Sequence, residues 1–278
     1  MGDQRPDRRR SDEEMARYVR ISSLAIVHRA GVGHPGADMS SADILSVLYN
    51  GVLRVNAADP ADPERDRFIC SKSHASAALY SALAARGFLS EEELETYGKP
   101  FSRLCTAVSN RLPGVELSTG ALGHGLPFAV GAAIAARMDR SPRRVVVMTG
   151  DGELQEGSNW EALMLAATQK LANLLLVVDR NRVQKGASTE EINALEPLAD
   201  KMRAFGWAVR EVNGHDTAAL RAAFESAPFE PGRPSCVLAA TVKGKGVSFM
   251  ENDLAWHSRK LTDALLSQAL EELRRGRA

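Results

Sequence analysis

The chain has 278 residues, of which 44% are apolar and 25% are charged, which suffices for one large α/β domain with a substantial core. Its 35 basic and 35 acidic side chains cancel, so no net charge draws it to nucleic acid or to an anionic membrane. Its polar start lacks the apolar stretch of a secretory signal, and no apolar run approaches a membrane span. Its 3 scattered cysteines do not suggest a disulfide framework or a cysteine zinc site. We therefore expect a cytoplasmic protein.

The beginning of the chain predicts a tail followed by a helix. Residues 1–12 are charged and rich in arginine, which predicts a disordered tail ahead of a single domain over 13–278. Ser11 and Glu14 have the spacing of a capping box, and the pattern carries the helix to about Ala30.

Strand and helix patterns then alternate along the chain. Strands are predicted over 68–70, 144–149, 174–179, 208–212 and 235–241, the second and third as buried apolar runs. Helices are predicted over 40–50, 75–86, 126–137, 157–170, 198–205, 216–227 and from about 262, with a short one capped by Ser90. Irregular stretches over 56–67, 100–121 and 181–195 are expected to be loops, and the one over 100–121 is expected to be functional. This alternation predicts an α/β fold, a doubly wound and mainly parallel sheet with helices on both faces, whose ligands bind beyond the carboxyl ends of the strands.

The most informative motif is Gly150-Asp151-Gly152, at the end of a predicted strand. Asn181 follows the next buried strand, so both side chains are expected at the same edge of the sheet. A backbone carbonyl near Val183, where the chain turns back, offers a further oxygen. Magnesium prefers such oxygen ligands together with phosphate oxygens, and the glycine turn lets a diphosphate approach the backbone. The alternative is that Asp151 only caps the next helix and Asn181 only makes a turn.

Four of the 6 histidines lie where a loop meets a helix or in a loop, namely His34, His74, His124 and His257. Histidine is the usual acid, base or hydrogen-bond donor near neutral pH, although each of these alone also fits a structural role. His28, within a helix, and His215, before a capped helix, are interpreted as structural.

Other common site motifs are missing or ambiguous. No histidine spacing fits a zinc site, and no nucleophile elbow, phosphate-binding loop or dinucleotide fingerprint occurs. The turn Lys243-Gly244-Lys245-Gly246 either neutralises a phosphate or carries two solvated lysines.

Together these motifs resemble the N-terminal, diphosphate-binding half of transketolases, and most closely that of split transketolases, in which this half is a separate polypeptide. The match runs from about Met15 to Leu261. It comprises Gly33-His34-Pro35-Gly36, Arg65-Asp66-Arg67-Phe68, Ser71-Lys72-Ser73-His74-Ala75, Pro113 to Gly120, Gly150 to Gly157, Asp179-Arg180-Asn181-Arg182, Lys243 to Gly246 and Trp256-His257.

The resemblance implies thiamine diphosphate with Mg²⁺, or another divalent cation such as Ca²⁺ or Mn²⁺, as cofactors. It implies metal ligation by Asp151, Asn181 and the Val183 carbonyl. The implied cofactor contacts are Gly120, Leu122, His124, Gly150, Asp151, Gly152, Glu153, Asn181, Lys243 and His257. The implied catalytic residues are His34, His74 and His257, with Glu156 in a carboxylate network across an interface.

The resemblance also implies a reaction and a partner. A two-carbon ketol unit passes from a ketose or ketose phosphate to an aldehyde acceptor, so the ligands are small sugars. The glutamate that activates the cofactor's pyrimidine ring belongs to a second, pyrimidine-binding domain. Here that domain must be a separate C-terminal subunit, with a two-plus-two heterotetramer as the expected assembly, and the chain alone is expected to be inactive.

The sequence departs from the family at three places. Residues 101–112 contain no histidine, and Thr106 or Ala107 stands where the family has one; Ser73 replaces a common glycine, and His124 a common glutamine. We therefore hypothesise an altered substrate in a specialised pathway. Two alternatives stay open: another thiamine diphosphate enzyme, acyloin-forming or decarboxylating, which a 2-oxo acid donor and carbon dioxide release would reveal, or a non-catalytic paralogue that only binds a partner.

Overall fold

A single five-stranded sheet forms the centre of the computed structural model, which describes residues 10–276. The strand order is β1-β2-β3-β5-β4, and all neighbouring strands are parallel. The strands are β1 (Arg67–Cys70), β2 (Val145–Gly150), β3 (Leu174–Arg180), β4 (Ala208–Asn213) and β5 (Ser235–Ala240). The predicted α/β fold with a parallel sheet is confirmed.

Helices separate these strands along the chain. They are α1 (Asp12–Ala30), α2 (Pro35–Val47), α3 (Ser76–Ala85), α4 (Glu91–Leu94), α5 (Gly125–Met138), α6 (Gly157–Thr168), α7 (Thr189–Ile192), α8 (Leu198–Ala204), α9 (Thr217–Glu225) and α10 (Asp263–Arg274). A π-helical turn (Leu48–Val52) continues α2, and single 3₁₀ turns cover Ser73–Ala75, Gly152–Gln155 and Leu254–His257. No helix within 10–276 has the length and apolarity needed to cross a membrane.

The start of α1 carries the predicted capping box. The Ser11 side chain accepts from the Glu14 N–H, while the Glu14 side chain accepts from the Ser11 N–H. Asp12 is the first helical residue. Residues 1–9 of the predicted tail lie outside the described residues.

Two elements differ from the sequence prediction. Helix α2 begins at Pro35, five positions before the predicted start, because the fixed φ of proline suits the first helical position and the N–H it lacks is unpaired there in any case. The predicted loop over 181–195 contains α7, which starts with a capping box between Ser188 and Glu191. An antiparallel bridge between Val183 and Ser188 folds this loop back over the edge of the sheet.

Alternate side chains of β1, β2, β3 and β5 enter two different cores. Phe68, Val146 and Val177 pack with α1, α2, α3 and α9 on one face. Ile69, Val147 and Leu176 pack with α5, α6 and α8 on the other. Strands buried on both faces must be apolar without interruption, which explains the continuous apolar runs in the sequence. A third cluster packs α10 against α1 and holds the loop around Trp256.

His215 and His28 have the structural surroundings expected of them. His215 Nδ1 lies 2.7 Å from Asp43 Oδ2, and its Nε2 accepts from the Val242 N–H at 2.8 Å. Asp43 also forms a buried ion pair with Arg20 of α1. His28 Nε2 lies 3.0 Å from Asp263 at the start of α10. Both histidines therefore join helices to the rest of the fold.

Candidate active site

A cavity of about 570 Å³ opens at the carboxyl edge of the sheet, where ligands bind in open parallel sheets. Most of the residues predicted for the site line it. They are His34, His74, Leu122, Gly150, Asp151, Gly152, Glu153, Asn181, Val183, Lys243 and His257. Segments from α2, from the ends of β1, β2 and β3, and from the loop after β5 thus meet in one place.

Three residues that could supply oxygen ligands to a cation line this cavity. Asp151 is 2% exposed, and its Oδ2 accepts from the Arg182 N–H at 2.5 Å and from Arg180 Nη1 at 3.1 Å. The Asn181 Oδ1 accepts from the Val183 N–H at 3.1 Å. The Val183 carbonyl accepts from Lys243 Nζ at 3.3 Å. Burial, and then the charge of Asp179, raise the pKa of Asp151. A carboxylate in such surroundings is stabilised by a nearby cation.

Three histidines also line the cavity and lie close together. Their ring centroids lie 4.5 Å apart for His34 and His74, 5.0 Å for His74 and His257, and 5.4 Å for His34 and His257. Burial, and then the neighbouring positive groups, lower the pKa of all three, to about 3 for His74 and about 4 for His257. All three rings are therefore neutral at pH 7, so each offers one hydrogen-bond donor and one acceptor.

Lys243 links the histidines to the oxygen donors. Its Nζ lies 3.2 Å from His257 Nδ1 and also contacts the Val183 carbonyl. Burial, followed by repulsion from Lys72, lowers the pKa of Lys243 to about 8, so the ammonium form still predominates at pH 7. An ammonium only donates, so His257 Nδ1 accepts and its Nε2 carries the proton.

Glu153 binds to its own chain. Its Oε1 accepts from the Gly123 N–H at 3.1 Å and from the Ser71 hydroxyl, and its Oε2 accepts from the Gly150 N–H at 3.2 Å. The carboxylate thus ties the loop before α5 to the ends of β1 and β2. Its predicted contact with a cofactor stays a prediction.

Gly120, His124 and Glu156 lie outside the lining of the cavity and are exposed. Glu156 stands beside Gly123, where a Cβ would come within 2.7 Å of the Glu156 Cβ, and Gly123 has a φ of +79°. A glycine is therefore required for this close approach. The predicted roles of these three residues stay predictions.

Lys72 and Asp179 belong to the cavity region although no site role was predicted for them. Lys72 lines the cavity, and its Nζ lies 2.5 Å from Oδ2 of the fully buried Asp179. Burial alone raises the pKa of Asp179, but Lys72 and the surrounding hydrogen bonds outweigh it and lower the pKa to about 2. The sequence does contain a signal for this pair. Asp179 is a carboxylate at the end of an otherwise apolar strand, and a buried carboxylate requires a buried partner.

Comparison with known proteins identifies the family and the fold. The family model described as "Transketolase, thiamine diphosphate binding domain" matches residues 11–274. The chain belongs to this family. The crystal structure of transketolase from Campylobacter jejuni superposes with a TM-score of 0.90 at 34% identity, covering 95% of this chain and 42% of that one. The predictions of a transketolase-family chain and of a transferase are confirmed.

Relatives of similar length are subunits of transketolases. The 6-deoxy-6-sulfo-D-fructose transketolase subunit of a Clostridium species is 41% identical over 262 residues, covering 94% of this chain and 95% of that protein. An apulose-4-phosphate transketolase subunit of Actinobacillus succinogenes is 46% identical over 265 residues, again covering 94% and 95%. The transketolase of Rattus norvegicus is 35% identical over 275 residues, but this chain covers only 44% of it.

The residues of this transketolase-family cavity fit a metal diphosphate. Asp151, Asn181 and Val183 offer oxygen donors only, the set that a hard cation such as Mg²⁺ prefers. A Cβ at Gly152 would lie 2.6 Å from Gln184 Oε1 and 3.1 Å from Gln184 Cβ, so the absence of a side chain lets Gln184 pack against the backbone here. The buried Nδ1 of His34 has no hydrogen-bond partner within the described part of the chain, which leaves it available to a ligand.

Acid is expected to destabilise the chain through His74 and His257. Between pH 6.5, the ordinary histidine pKa, and the folded-state values of about 4 and about 3, the unfolded chain binds protons that the folded chain cannot. The two neutral histidines therefore contribute to the free energy of unfolding at pH 7, and this contribution is lost as the pH falls from 6.5 toward the folded-state pKa values. The upper limit is about 1.4 kcal/mol per pH unit and histidine, and partial exposure of both rings reduces it.

Urea unfolding at pH 7, 6 and 5 measures this loss. The double variant His74→Asn/His257→Asn should show a flatter dependence on pH, whereas His28→Asn serves as the matched control on a helix. An unchanged slope in the double variant would contradict the assignment.

Proposed function

We propose that this chain is the N-terminal subunit of a two-chain, thiamine diphosphate-dependent transketolase that transfers a two-carbon ketol unit from a ketose or ketose phosphate to an aldehyde. The observation that carries the proposal is the meeting of an oxygen-donor set (Asp151, Asn181 and Val183) with three neutral histidines (His34, His74 and His257) in one cavity. The first set suits a metal diphosphate, and the second suits the hydroxyl and carbonyl oxygens of a sugar.

The cofactor and its metal are assigned to residues of this cavity. The oxygens of Asp151, Asn181 and Val183 hold Mg²⁺, or Ca²⁺ or Mn²⁺ in its place. Gly150 and Gly152 let the diphosphate approach the backbone, and Lys243 adds positive charge beside it. When bound, thiamine diphosphate supplies the carbanion chemistry that cleaves and forms the carbon–carbon bond.

The histidines act on the sugar. A base works best when its pKa lies near the working pH, so His74, with a pKa of about 3, is a poor proton acceptor at pH 7. We assign His34 and His74 to orienting and polarising the substrate oxygens by hydrogen bonds. His257 has its Nδ1 engaged by Lys243, so its Nε2–H is the group that can donate to a ligand.

A second subunit is part of the proposal. The relatives of matching length carry the word subunit in their names, and the cavity of this chain is open. The apolar Leu122 and Ile192 line the cavity and are 38% and 50% exposed. A partner subunit that covers them would remove these apolar side chains from water. We propose a C-terminal subunit with the pyrimidine-binding domain, a two-plus-two heterotetramer and a cytoplasmic location. His124, Gly120 and Glu156, all exposed, are assigned to the cofactor and interface side of this assembly.

Co-expression with the product of the neighbouring open reading frame tests the function. The complex, with thiamine diphosphate and Mg²⁺, should transfer ketol units from a panel of ketoses and ketose phosphates, whereas each chain alone should be inactive. Consumption of a 2-oxo acid with release of carbon dioxide would favour a decarboxylating enzyme instead. A folded complex that binds no thiamine diphosphate would mean that the chain is a scaffold.

The donor is proposed to differ from the ordinary pentose phosphates, as the named substrates of two relatives do. Either Thr106 or Ala107 stands at the place of the family's additional histidine. The Ala107 carbonyl accepts from the Tyr80 hydroxyl at 2.9 Å, and its Cβ lies 3.9 Å from the position of a Cβ at Gly120. The Ala107 side chain therefore stands beside the loop that leads to Leu122.

Ala107→His is expected to raise kcat/KM for xylulose 5-phosphate relative to the best natural donor by about tenfold, the effect of one hydrogen bond to a charged group. Thr106→His tests the other of the two positions, and steady-state kinetics with both donors gives the ratio for each variant. A wild-type complex that already prefers ordinary pentose phosphates would refute the altered donor.

A further inference from the structure

Asp179 stands at the end of β3 with both carboxylate oxygens occupied. Its Oδ1 accepts from Thr241 Oγ1 at 2.5 Å and from Asn181 Nδ2 at 3.1 Å. Its Oδ2 accepts from Lys72 Nζ at 2.5 Å and from the hydroxyls of Ser40 and Ser41, each at 2.9 Å. The residue is 0% exposed, so no water competes for these contacts. The two oxygens thus face different parts of the fold.

The contact through Oδ1 decides how the Asn181 amide is turned. An amide nitrogen only donates and an amide oxygen only accepts. Asn181 Nδ2 donates to Asp179, and on its other side Oδ1 accepts from the Val183 N–H at 3.1 Å. Turning the amide over would place its oxygen against a carboxylate and its NH₂ against an N–H, which are both repulsive contacts. The amide oxygen is therefore held on the side away from Asp179.

We infer that Asp179 is a positioning residue that presents the Asn181 amide oxygen, rather than its NH₂ group, to the divalent cation. The inference rests on the proposed function, because it needs a cation at Asp151, Asn181 and Val183. It adds a residue that touches neither cation nor sugar. Groups that orient metal ligands through hydrogen bonds typically change metal affinity by 10- to 100-fold when they are altered.

A purely structural role for Asp179 is the competing explanation. Through Oδ2 the carboxylate anchors α2, by Ser40 and Ser41, and the end of β1, by Lys72. The two roles use different oxygens, so they are separable by substitution. A structural role predicts changes in thermal stability alone, whereas the positioning role predicts a change in cation affinity.

The decisive variant is Asp179→Asn. Lys72 only donates, so the new amide should turn its oxygen to Lys72 and its NH₂ to Asn181. Two NH₂ groups then face each other, so the orientation that points the Asn181 oxygen at the cation loses its support and is no longer favoured over the turned one. The Mn²⁺ affinity of the two-chain complex with thiamine diphosphate, measured by electron paramagnetic resonance titration, is expected to fall at least tenfold.

Asp179→Asn/Asn181→Asp tests the reason for that loss. A carboxylate at 181 accepts from the amide at 179 and still offers an oxygen to the cation, so Mn²⁺ affinity should return to within a few-fold of wild type. Ser41→Ala, which removes one contact to Oδ2, should lower the melting temperature and leave Mn²⁺ affinity unchanged. Thr241→Val removes the hydroxyl that donates to Asp179 Oδ1 and is a milder change than Asp179→Asn. It should weaken Mn²⁺ binding several-fold, and it keeps the test possible if the Asp179→Asn complex does not assemble.

The outcomes separate the inference from the proposed function. A wild-type complex that binds no Mn²⁺ overturns the proposed function. Wild-type binding together with unchanged affinity in Asp179→Asn or Thr241→Val overturns only the positioning role. A double variant that binds as weakly as Asp179→Asn also overturns it, because the loss would then not come from the orientation of residue 181.

Discussion

Asp151→Ala is expected to abolish metal-dependent binding of thiamine diphosphate, with a loss of affinity of about 100-fold or more. The carboxylate is the only formally charged member of the proposed ligand set with Asn181 and Val183, so its removal takes away most of the attraction for a divalent cation. The fold should survive, because Arg180 keeps its ion pairs to Glu190 and Glu196 at 2.7 and 2.8 Å. Calorimetric titration of the two-chain complex with thiamine diphosphate in Mg²⁺ measures the effect.

Asp200→Ala is a matched control, since Asp200 is exposed and pairs only with the nearby Arg203 among the contacts described. It should bind the cofactor as wild type does. Full cofactor binding by Asp151→Ala would contradict the assignment of the metal site, and with it the proposed roles of Asn181 and Val183.

Lys72→Met is expected to lower the free energy of unfolding by about 3–5 kcal/mol, the usual result of removing one partner from a buried ion pair. The ammonium lies 2.5 Å from Asp179, and the two side chains are 8% and 0% exposed. Without it, Asp179 keeps only hydroxyl and amide donors and remains a buried charge without a counter-charge. Methionine preserves most of the volume, so packing loss contributes little. Urea unfolding of the isolated chain gives the free energy.

Lys99→Met, at an exposed position in the loop after α4, is the control and should change stability by less than about 0.5 kcal/mol. The double variant Lys72→Met/Asp179→Asn should recover part of the loss, because neither buried charge remains. If Lys72→Met unfolds like wild type, the pair does not stabilise the fold.

Local patterns in the sequence predicted the alternation of strands and helices, the capping of α1 by Ser11 and the position of Asp151 and Asn181 at one edge of the sheet. These features depend on neighbouring residues: apolar runs make buried strands, caps satisfy free N–H groups, and parallel strands end together. The start of α2 was predicted five positions too late, although Pro35 in the first turn favours the helix.

Only the tertiary structure decided which side chains pair. His34, His74 and His257 come from three separate segments, and their neutral state follows from burial beside Lys243 and beside one another. The pairing of Lys72 with Asp179, and through Asp179 the orientation of Asn181, depends on β1 and β3 both flanking β2 and on α2 covering their ends. The periodicity of the sequence predicts which residues are buried. In the low dielectric of the interior, each buried charge requires a partner. The packing of segments that are distant in the sequence determines which residue that partner is.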